Sequence, residues 1–344
     1  MKTFIQLSLS FLLGVCFISA SKAQNTEYTI VDRFPVAGDG GWDYIAVNEN
    51  TGDLFVSHAG VTNIVDQSGY LLGTVKDTKG VHGIAIANKE NKAFISCGRD
   101  TSISIVDLGS FELITKIKST GVNPDAIIYD PFSHKVFVFN GRSSNATVID
   151  AVTNTVVATI PLIGKPEFSV SDGKGKLFVN LEDTSMISQI NTTTLKVENT
   201  WSIAPGEKPS GLALDNTTHR LFATCSNKKM VVIDALKGNV ITTLDIGDHT
   251  DGCVFDPGLK RAYSSNGDGT LTVVQEKTAN DFSVLTTVPT QKGARTICIN
   301  KKTHHLYLPV AEYGETPAAT KAVPNPRPPI KPGSFVILDV APGT

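Results

Sequence analysis

The stretch GVNPDAIIYDPFSHKVFVFNGRSSNATVID, residues 121–150, contains three short apolar strands separated by two turns. Residues 126–129, 136–139 and 147–149 are rich in Val, Ile and Phe, whereas Asp, Pro, Ser, Gly and Asn fill the turns. This alternation is typical of antiparallel β structure. The same arrangement recurs along the chain, so the stretch is one unit of a repeat.

The repeat is visible at two positions of each unit. The aromatic residue of the second strand recurs at Phe55, Phe94, Phe137, Phe178, Phe222, Tyr263 and Tyr307. The polar end of the third strand recurs at Asp66, Asp107, Asp150, Asn191, Asp234, Gln275 and Asp339. A fixed period of roughly 40 residues is typical of stacked supersecondary units. Seven units are therefore predicted, and the wider last interval indicates an insertion at 314–333.

The units predict an all-β fold. Each unit reads as four short strands with almost no helical periodicity, so we predict a seven-bladed β-propeller with four antiparallel strands per blade. The seventh unit lacks a fourth strand, and residues 27–34 match the fourth strands of other units, such as 240–246. We expect this N-terminal strand to complete the last blade and close the ring.

The N-terminal residues have the pattern of a secretory signal peptide. An apolar run at 4–18 follows Lys2 and precedes the small residues Ser21 and Ala23, which predicts cleavage before Gln24. We expect residues 1–23 to be removed, residues 24–344 to form one propeller domain, and the protein to be exported to the periplasm or secreted. The run is too short and wrongly flanked for a membrane anchor, and no second apolar span follows.

Charge and cysteine usage restrict the partners and cofactors. Without Lys2 and Lys22, the 31 basic residues fall to 29 against 33 acidic ones, a charge of −4 that favours neither nucleic acid nor an anionic membrane. No G-x-S-x-G elbow, dinucleotide fingerprint or phosphate loop is present. Single cysteines without C-x-x-C spacing exclude a haem or zinc-knuckle motif and favour free buried thiols over disulfides, at Cys97, Cys225, Cys253 and Cys298.

The second strands resemble those of a known family. The phrases LFVSH, AFISC, VFVFN, LFVNL, LFATC, AYSSN and LYLPV, together with VID-type third strands, are similar to the YVTN-repeat, YncE-like seven-bladed propellers of bacterial envelopes, over the whole mature chain. The resemblance implies the fold. It implies no single activity, because such propellers include surface and binding proteins as well as relatives of lactonase-like enzymes.

The two faces of the predicted propeller carry different residues. Turns between first and second strands are generic, and their histidines, His134, His219, His304 and His305, read as solvated surface residues. Loops between second and third strands differ in almost every blade, which is how a repeat scaffold builds a site. Their polar residues include His58, Arg99, Asp100, Asn140, Arg142, Glu182, Asp183, Ser226, Asn227, Asn266, Asp268 and Glu312.

The same face carries one residue from the start of each innermost strand. These residues form a predicted ring around the central channel: Asp43, His82, Asp125, Glu167, Ser210, Asp251 and Arg295. Four carboxylates against one arginine give a net charge of −3 when His82 is neutral. Two like charges about 4 Å apart near a protein surface repel by about 4 kcal/mol. The ring therefore predicts a bound cation, raised carboxylate pKa values, a protonated His82 or neutralisation by outer arginines; the alternative is a hydrated channel whose ring residues only cap strand ends.

Two kinds of chemistry fit the ring. Asp43, Asp125, Glu167 and Asp251 offer oxygen ligands for calcium, and adding His82 favours zinc or manganese, with His58 and His249 as further candidate ligands. Without a metal, His82, Asp125 or Glu167 would act as general base. An arginine, at 295, 142 or 99, would hold an anionic substrate or stabilise an enolate or oxyanion, as in a lyase, lactonase or hydrolase acting on an anionic or sugar-like molecule. The predicted substrate-binding residues are Trp42, Asp43, His58, Arg99, Arg142, Glu182, Asp251 and Glu312.

The insertion and the aromatic residues leave further alternatives. The proline-rich residues 314–333 predict a semi-rigid lid or contact surface, or else a disordered excursion. Trp42, Tyr44, Phe168 and Tyr313 either stack on a ring-shaped ligand or plug the core. A non-catalytic envelope scaffold that recognises a protein or glycan through this face is the alternative function, and an adaptor for a redox partner is a third.

Overall fold

The computed structural model describes residues 27–321 and 323–343. Within these residues, strands form seven four-stranded antiparallel sheets, which confirms the predicted seven-bladed propeller. The predicted signal peptide, residues 1–23, lies outside the described residues. Within the described residues, no helix is both long and apolar enough to cross a membrane.

The first six blades follow the chain, each running from an innermost to an outermost strand. Blades 1 to 3 consist of β2 (Trp42–Val47), β3 (Leu54–His58), β4 (Val61–Val65) and β5 (Leu71–Val75); β6 (Val81–Ala87), β7 (Lys92–Cys97), β8 (Ser102–Asp107) and β9 (Leu113–Lys118); and β10 (Pro124–Asp130), β11 (Lys135–Asn140), β12 (Asn145–Asp150) and β13 (Thr155–Pro161). A short 3-10 helix, Asn88–Glu90, connects β6 to β7.

Blades 4 to 6 repeat this order, and blade 7 adds the N-terminal strand. They consist of β14 (Pro166–Ser171), β15 (Lys176–Leu181), β16 (Met186–Asn191) and β17 (Lys196–Ser202); β18 (Pro209–Asp215), β19 (Arg220–Cys225), β20 (Lys229–Asp234) and β21 (Val240–Asp245); β22 (Thr250–Asp256), β23 (Arg261–Asn266), β24 (Thr270–Thr278) and β25 (Asp281–Pro289); and β26 (Cys298–Asn300), β27 (His305–Val310), β28 (Val336–Pro342) and β1 (Tyr28–Pro35).

The core lies between neighbouring blades. Second and third strands such as β7 and β8 are buried along almost their whole length, because each sheet is covered on both faces by adjacent blades. Their sequences accordingly carry apolar or small residues on both faces, as at 93–97 and 102–106. The outermost strands, such as β5 and β13, are largely exposed, and the repeated aromatics Phe55 and Phe94 are fully buried.

The ring is closed by pairing of the two ends of the described chain. Strand β1 pairs antiparallel with β28, from Tyr28 opposite Pro342 to Pro35 opposite Val336, as the sequence predicts. The Tyr28 hydroxyl lies 2.8 Å from the Tyr263 hydroxyl of blade 6 and accepts a 2.7 Å hydrogen bond from Arg261 Nη1. Strand β1 is therefore joined to two blades.

The last blade differs in one detail from the other six. Its innermost strand begins only at Cys298, after the ring residue Arg295, because Ala294 N donates to Gln291 O at 3.0 Å and Arg295 N to Gly293 O at 2.8 Å, which makes a turn. The 20-residue insertion does connect β27 to β28 as expected.

Three turn histidines are not simple surface residues, which corrects the expectation from sequence. The Nδ1 atoms of His134, His304 and His305 each lie 2.7 Å from a carboxylate oxygen, and their partners are Glu90, Asp256 and Asp339. These carboxylates are almost completely buried, and an unpaired buried carboxylate is costly. The histidines therefore compensate buried acids, two of them on a neighbouring blade.

The cysteines agree with the prediction. Cys97, Cys225, Cys253 and Cys298 are free and buried in the described structure. Burial raises the pKa of each thiol, to about 12 for Cys225, so these side chains remain protonated at neutral pH.

The closure network predicts a stability loss in Tyr28→Phe. The change removes the hydroxyl that accepts a hydrogen bond from Arg261 and contacts the Tyr263 hydroxyl. Because Arg261 is only 1% exposed, its guanidinium loses a hydrogen-bond partner in the core. We expect unfolding in urea to show a loss of about 1–3 kcal/mol. Tyr70→Phe, at a residue that is 72% exposed, is the matched control; equal stability of the two variants would contradict a role of this hydroxyl in closure.

Candidate functional site

A repeated backbone irregularity directs the ring residues into the channel. In the innermost strands of blades 1 to 6, the pairing with the second strand shifts register next to the ring residue, for example between Trp42 and Ile45 and between Val81 and Ile84. Such a bulge re-aims a side chain that regular pairing would direct against a neighbouring sheet. Arg295 is presented instead by the turn that precedes β26.

Side-chain hydrogen bonds connect the ring backbone from blade to blade. Ser96 Oγ of blade 2 donates to Asp125 O at 2.5 Å, and Ser265 Oγ of blade 6 donates to Arg295 O at 2.5 Å. Thr296 Oγ1 of blade 7 donates to Asp43 O of blade 1 at 2.6 Å. These contacts satisfy the carbonyl groups of Asp125 and Asp43, which lie at bulges, and that of Arg295, which lies in the turn before β26. The ring is therefore held by its neighbours as well as by its own strands.

The acidic part of the ring comes from blades 1 to 3. His82 Nδ1 lies 2.6 Å from Asp43 Oδ2 and 3.6 Å from Asp125 Oδ1. Asn123 Nδ2 donates to the other Asp125 oxygen at 3.3 Å. Asp43, His82 and Asp125 each offer a ligand atom, and these atoms lie within 4.8 Å of one another. The three side chains can therefore share either a proton or a cation.

Arg295 lies next to Asp43, on the other side from His82. Its Nε donates to Asp251 Oδ2 at 2.9 Å, and its Nη2 lies 3.5 Å from Asp43 Oδ1 and donates to Trp42 O at 3.2 Å. Its Cζ lies 5.7 Å from the centre of the Trp42 ring. The guanidinium thus joins blades 6, 7 and 1 and compensates two of the carboxylates.

Lys165 is a further residue of the site that was not predicted from the sequence. Its Nζ lies 2.5 Å from Glu167 Oε1 and also contacts Glu182 Oε2, so it is the second fixed cation at the channel mouth. Lys165 stands two positions before a ring residue, where other blades carry Asn123 and His249. Aligning that position would have identified Lys165, because four blades carry a polar residue there and three carry a glycine.

An aromatic pair forms the floor of the site. Tyr44 of blade 1 and Phe168 of blade 4 lie with ring centroids 5.5 Å apart, and these blades are not neighbours, so the contact crosses the channel. The aromatic plug predicted as one alternative is therefore present. At the other end of the channel lies a cavity of about 430 Å³ whose wall is mostly aliphatic and contains no ring residue. The polar mouth is thus separate from the apolar end.

Burial and crowding shift the titration of the ring. Burial raises the pKa of Asp125 and the pKa of Glu167. Repulsion by Asp125 raises the pKa of Glu167 further. Burial also raises the pKa of Asp251 to about 6, against the lowering effect of Arg295. For His82, burial disfavours the charged form, but the hydrogen bond to Asp43 and the nearby carboxylates outweigh it and raise the pKa. The mouth therefore retains protons that isolated side chains would lose.

The remaining predicted residues lie at different distances from the ring. Glu182 reaches it through Lys165, and Trp42 lies beneath Arg295. His58 is 1% exposed and stacks on Phe335 at 4.1 Å, where burial lowers its pKa, so it packs in the core. Three predicted loop residues are exposed and make no ion pair with a ring residue in the described structure: Arg99, Arg142 and Glu312.

The raised pKa of Asp251 predicts a pH-dependent stability. Because the folded state binds this proton more tightly than the unfolded chain, the contribution is present below pH 3.8 and lost as the pH rises through about 6. The Asp251→Asn variant has no carboxyl group at this position, so it does not lose this stability as the pH rises. We expect the free energy of unfolding of the variant, relative to wild type, to rise by about 1–3 kcal/mol between pH 4 and pH 8.

Urea unfolding at several pH values in EDTA buffer measures this change. Asp281→Asn, at an exposed side chain of blade 6, is the control and should show no such trend. A difference that stays constant with pH would mean that Asp251 titrates normally.

Comparisons with known proteins agree with the fold and place the chain near one group of propellers. The chain is 24% identical to the uncharacterised protein YncE of Salmonella typhimurium and 23% identical to that of Salmonella typhi, over 225 residues that cover 64% of this chain and 52% of each relative. The chain thus spans about half the length of these curated relatives. No family model matches.

Solved structures show the same architecture at low sequence identity. A chain of Kuenenia stuttgartiensis hydrazine synthase superposes with a TM-score of 0.70 at 17% identity, over 79% of this chain and 94% of that one. A chain from a crystal structure of the mitotic checkpoint complex gives 0.72 at 12% identity, over 90% and 96%. These two similarities concern the fold alone. The chain is thus a seven-bladed β-propeller that is similar in sequence to the YncE proteins of Salmonella.

Proposed function

We propose that the channel mouth binds a small anionic or sugar-like molecule together with a divalent cation. The observation that carries this proposal is the convergence of Asp43, His82 and Asp125, whose ligand atoms lie within 4.8 Å of one another. Three consecutive blades supply one side chain each. A structural cap on strand ends would not require donor atoms from separate blades to meet.

The donor set indicates which cations suit the site. Two carboxylates and one imidazole favour zinc or manganese, whereas calcium prefers oxygen ligands alone. Lys165 and Arg295 are already engaged by Glu167, Glu182 and Asp251. Arg295 also reaches Asp43, at 3.5 Å, but no lysine or arginine of the described residues forms an ion pair with Asp125, so a cation bound between Asp43 and Asp125 would relieve repulsion that is compensated on one side only.

The part of the site at Arg295 suits an anionic group. Arg295 lies on the other side of Asp43 from His82, and its charge would stabilise a carboxylate or an oxyanion on a bound molecule. Asp43, His82 and Asp125 would hold the cation, so Glu167, which stands at the mouth outside that ligand set and whose pKa burial raises, would accept a proton as general base. This arrangement supports a lyase or hydrolase reaction.

Metal titration of an Asp125→Asn variant tests the proposal. We expect calorimetry to show one equivalent of Zn²⁺ or Mn²⁺ bound by wild type and at least about tenfold weaker binding by the variant, because a lost carboxylate ligand removes 1.4 kcal/mol or more. Asp77→Asn is the matched control, since Asp77 is exposed on the same face and Asn tolerates its positive φ of 59°. Equal binding by Asp125→Asn and wild type would refute a cation site at this position.

The second candidate function is a non-catalytic scaffold that recognises a protein or glycan. The insertion favours it, because residues such as Thr316, Lys321 and Val323 are exposed on the face that carries the ring. A scaffold of this kind would bind its partner equally well in the Asp125→Asn variant. The enzyme proposal predicts that the same variant loses turnover.

We also propose that the protein is exported. The apolar run at 4–18 and the small residues before Gln24 support this proposal. Expression of the full chain in a Gram-negative host should place the protein outside the cytoplasm, with Gln24 as its first residue in N-terminal sequencing. A cytoplasmic product that retains residues 1–23 would contradict it.

A further inference from the structure

A second, larger pocket lies beside the ring. It has a volume of about 1120 Å³ and extends from Arg295 and Trp42 outward between the crossover that enters blade 7 and the insertion. Thr316, Arg327 and Pro328 of the insertion form part of its wall. Because Arg295 and Trp42 belong to both, the pocket is continuous with the channel mouth.

The insertion is anchored where it covers this pocket. Gly314 N donates to Pro329 O at 2.7 Å and Lys331 N to Glu312 O at 2.8 Å, so the two ends of the insertion pair as a short stem. At the base of the stem, Gly333 N donates to Asp39 Oδ1 at 2.9 Å. The pocket wall is therefore built by hydrogen bonds and not by a chance position of a long loop.

The charges that line the pocket are mostly positive. Lys292, Arg295 and Arg327 all contribute to its wall, and His249 stands at its edge. The lining carboxylate, Glu312, is paired with Lys331 at 2.9 Å. Neither Lys292 nor Arg327 forms an ion pair within the described part of the chain. Two cations thus remain available in a concave site next to a guanidinium of the ring.

The pocket also has an aromatic side. Trp42 and Tyr313 lie with ring centroids 6.1 Å apart and both contribute to the wall. The Trp42 side chain is 7% exposed, and its indole N–H has no hydrogen-bond partner in the described structure. Tyr313 packs directly against Gly293, where a Cβ atom would lie only 2.9 Å from the tyrosine ring. Aromatic walls of this kind suit the flat faces of sugar rings.

We propose that this pocket is a subsite for an acidic saccharide, whose carboxylate lies against Arg327 and Lys292 while a neighbouring sugar unit reaches the ring at Arg295. The inference rests on the proposed function of the channel mouth and specifies its ligand class. The continuity of the two cavities supports a ligand longer than one sugar unit. Because Lys292 and Arg327 form no ion pair in the described structure, their charges favour binding of acidic over neutral saccharides.

Calorimetric titration with trigalacturonate and with its neutral counterpart, galactotriose, in buffer containing Mn²⁺ tests the subsite. We expect wild type to bind trigalacturonate at least about tenfold more tightly than galactotriose, since charge-assisted hydrogen bonds to a carboxylate exceed neutral ones by about 1.4 kcal/mol. Arg327→Gln and Lys292→Gln should each weaken trigalacturonate binding about tenfold. Neither residue belongs to the ring.

The control is Lys321→Gln, an exposed lysine of the same insertion outside the pocket wall, which should bind as wild type does. Equal affinity for the two sugars, an unchanged affinity in Arg327→Gln and Lys292→Gln, or no binding of trigalacturonate to wild type would each overturn the subsite. Those outcomes are separate from the metal titration. If Asp125→Asn loses Mn²⁺ binding and any of these three sugar results is also obtained, the proposed cation site stands and only the acidic-saccharide ligand is rejected.

Discussion

The pairing of β1 with β28 is the constraint on which the rest of the molecule depends. It places the N-terminal strand at the outer edge of the last blade and so fixes blade 1 against blade 7. Only in a closed ring do residues that are 253 positions apart meet, as Thr296 Oγ1 and Asp43 O do at 2.6 Å. The ion pair between Arg295 and Asp43 depends on the same closure.

Closure of the ring also brings several carboxylates together at the channel mouth, and different basic side chains compensate different carboxylates. Arg295 forms ion pairs with Asp251 and Asp43. Lys165 forms ion pairs with Glu167 and Glu182. His82 lies between Asp43 and Asp125. Burial raises the carboxylate pKa values because water is largely replaced by protein around them. A site held in this way by bulges and blade-to-blade hydrogen bonds is prearranged, so a ligand would not have to order it.

The two ends of the channel differ because the aromatic floor separates them. Tyr44 and Phe168 meet across the axis, with the carboxylates on one side and a mostly aliphatic cavity on the other. Polar chemistry is therefore confined to the face that also carries the variable loops and the insertion. The larger pocket beside Arg295 opens on this same face, so the channel mouth and the insertion form one continuous surface.

The sequence by itself determined the number of blades, the closing strand and the membership of the ring. A regular repeat places equivalent positions in equivalent surroundings, so aligning Asp43, His82, Asp125, Glu167, Asp251 and Arg295 was enough to predict that they share one mouth. The bulges beside them reinforce that periodic arrangement.

Only the tertiary structure decided which partner each side chain takes. It assigned Lys165 to Glu167, buried His58 against Phe335, paired His304 with Asp256 of the preceding blade and joined Tyr44 to Phe168 across the channel. Apart from Lys165 and Glu167, which are two positions apart, these contacts join side chains that are distant in the sequence, and all of them depend on the direction of a side chain after the backbone has closed. Local pattern and spacing carry no information about that direction, because a repeat specifies backbone position while packing between blades selects the rotamer.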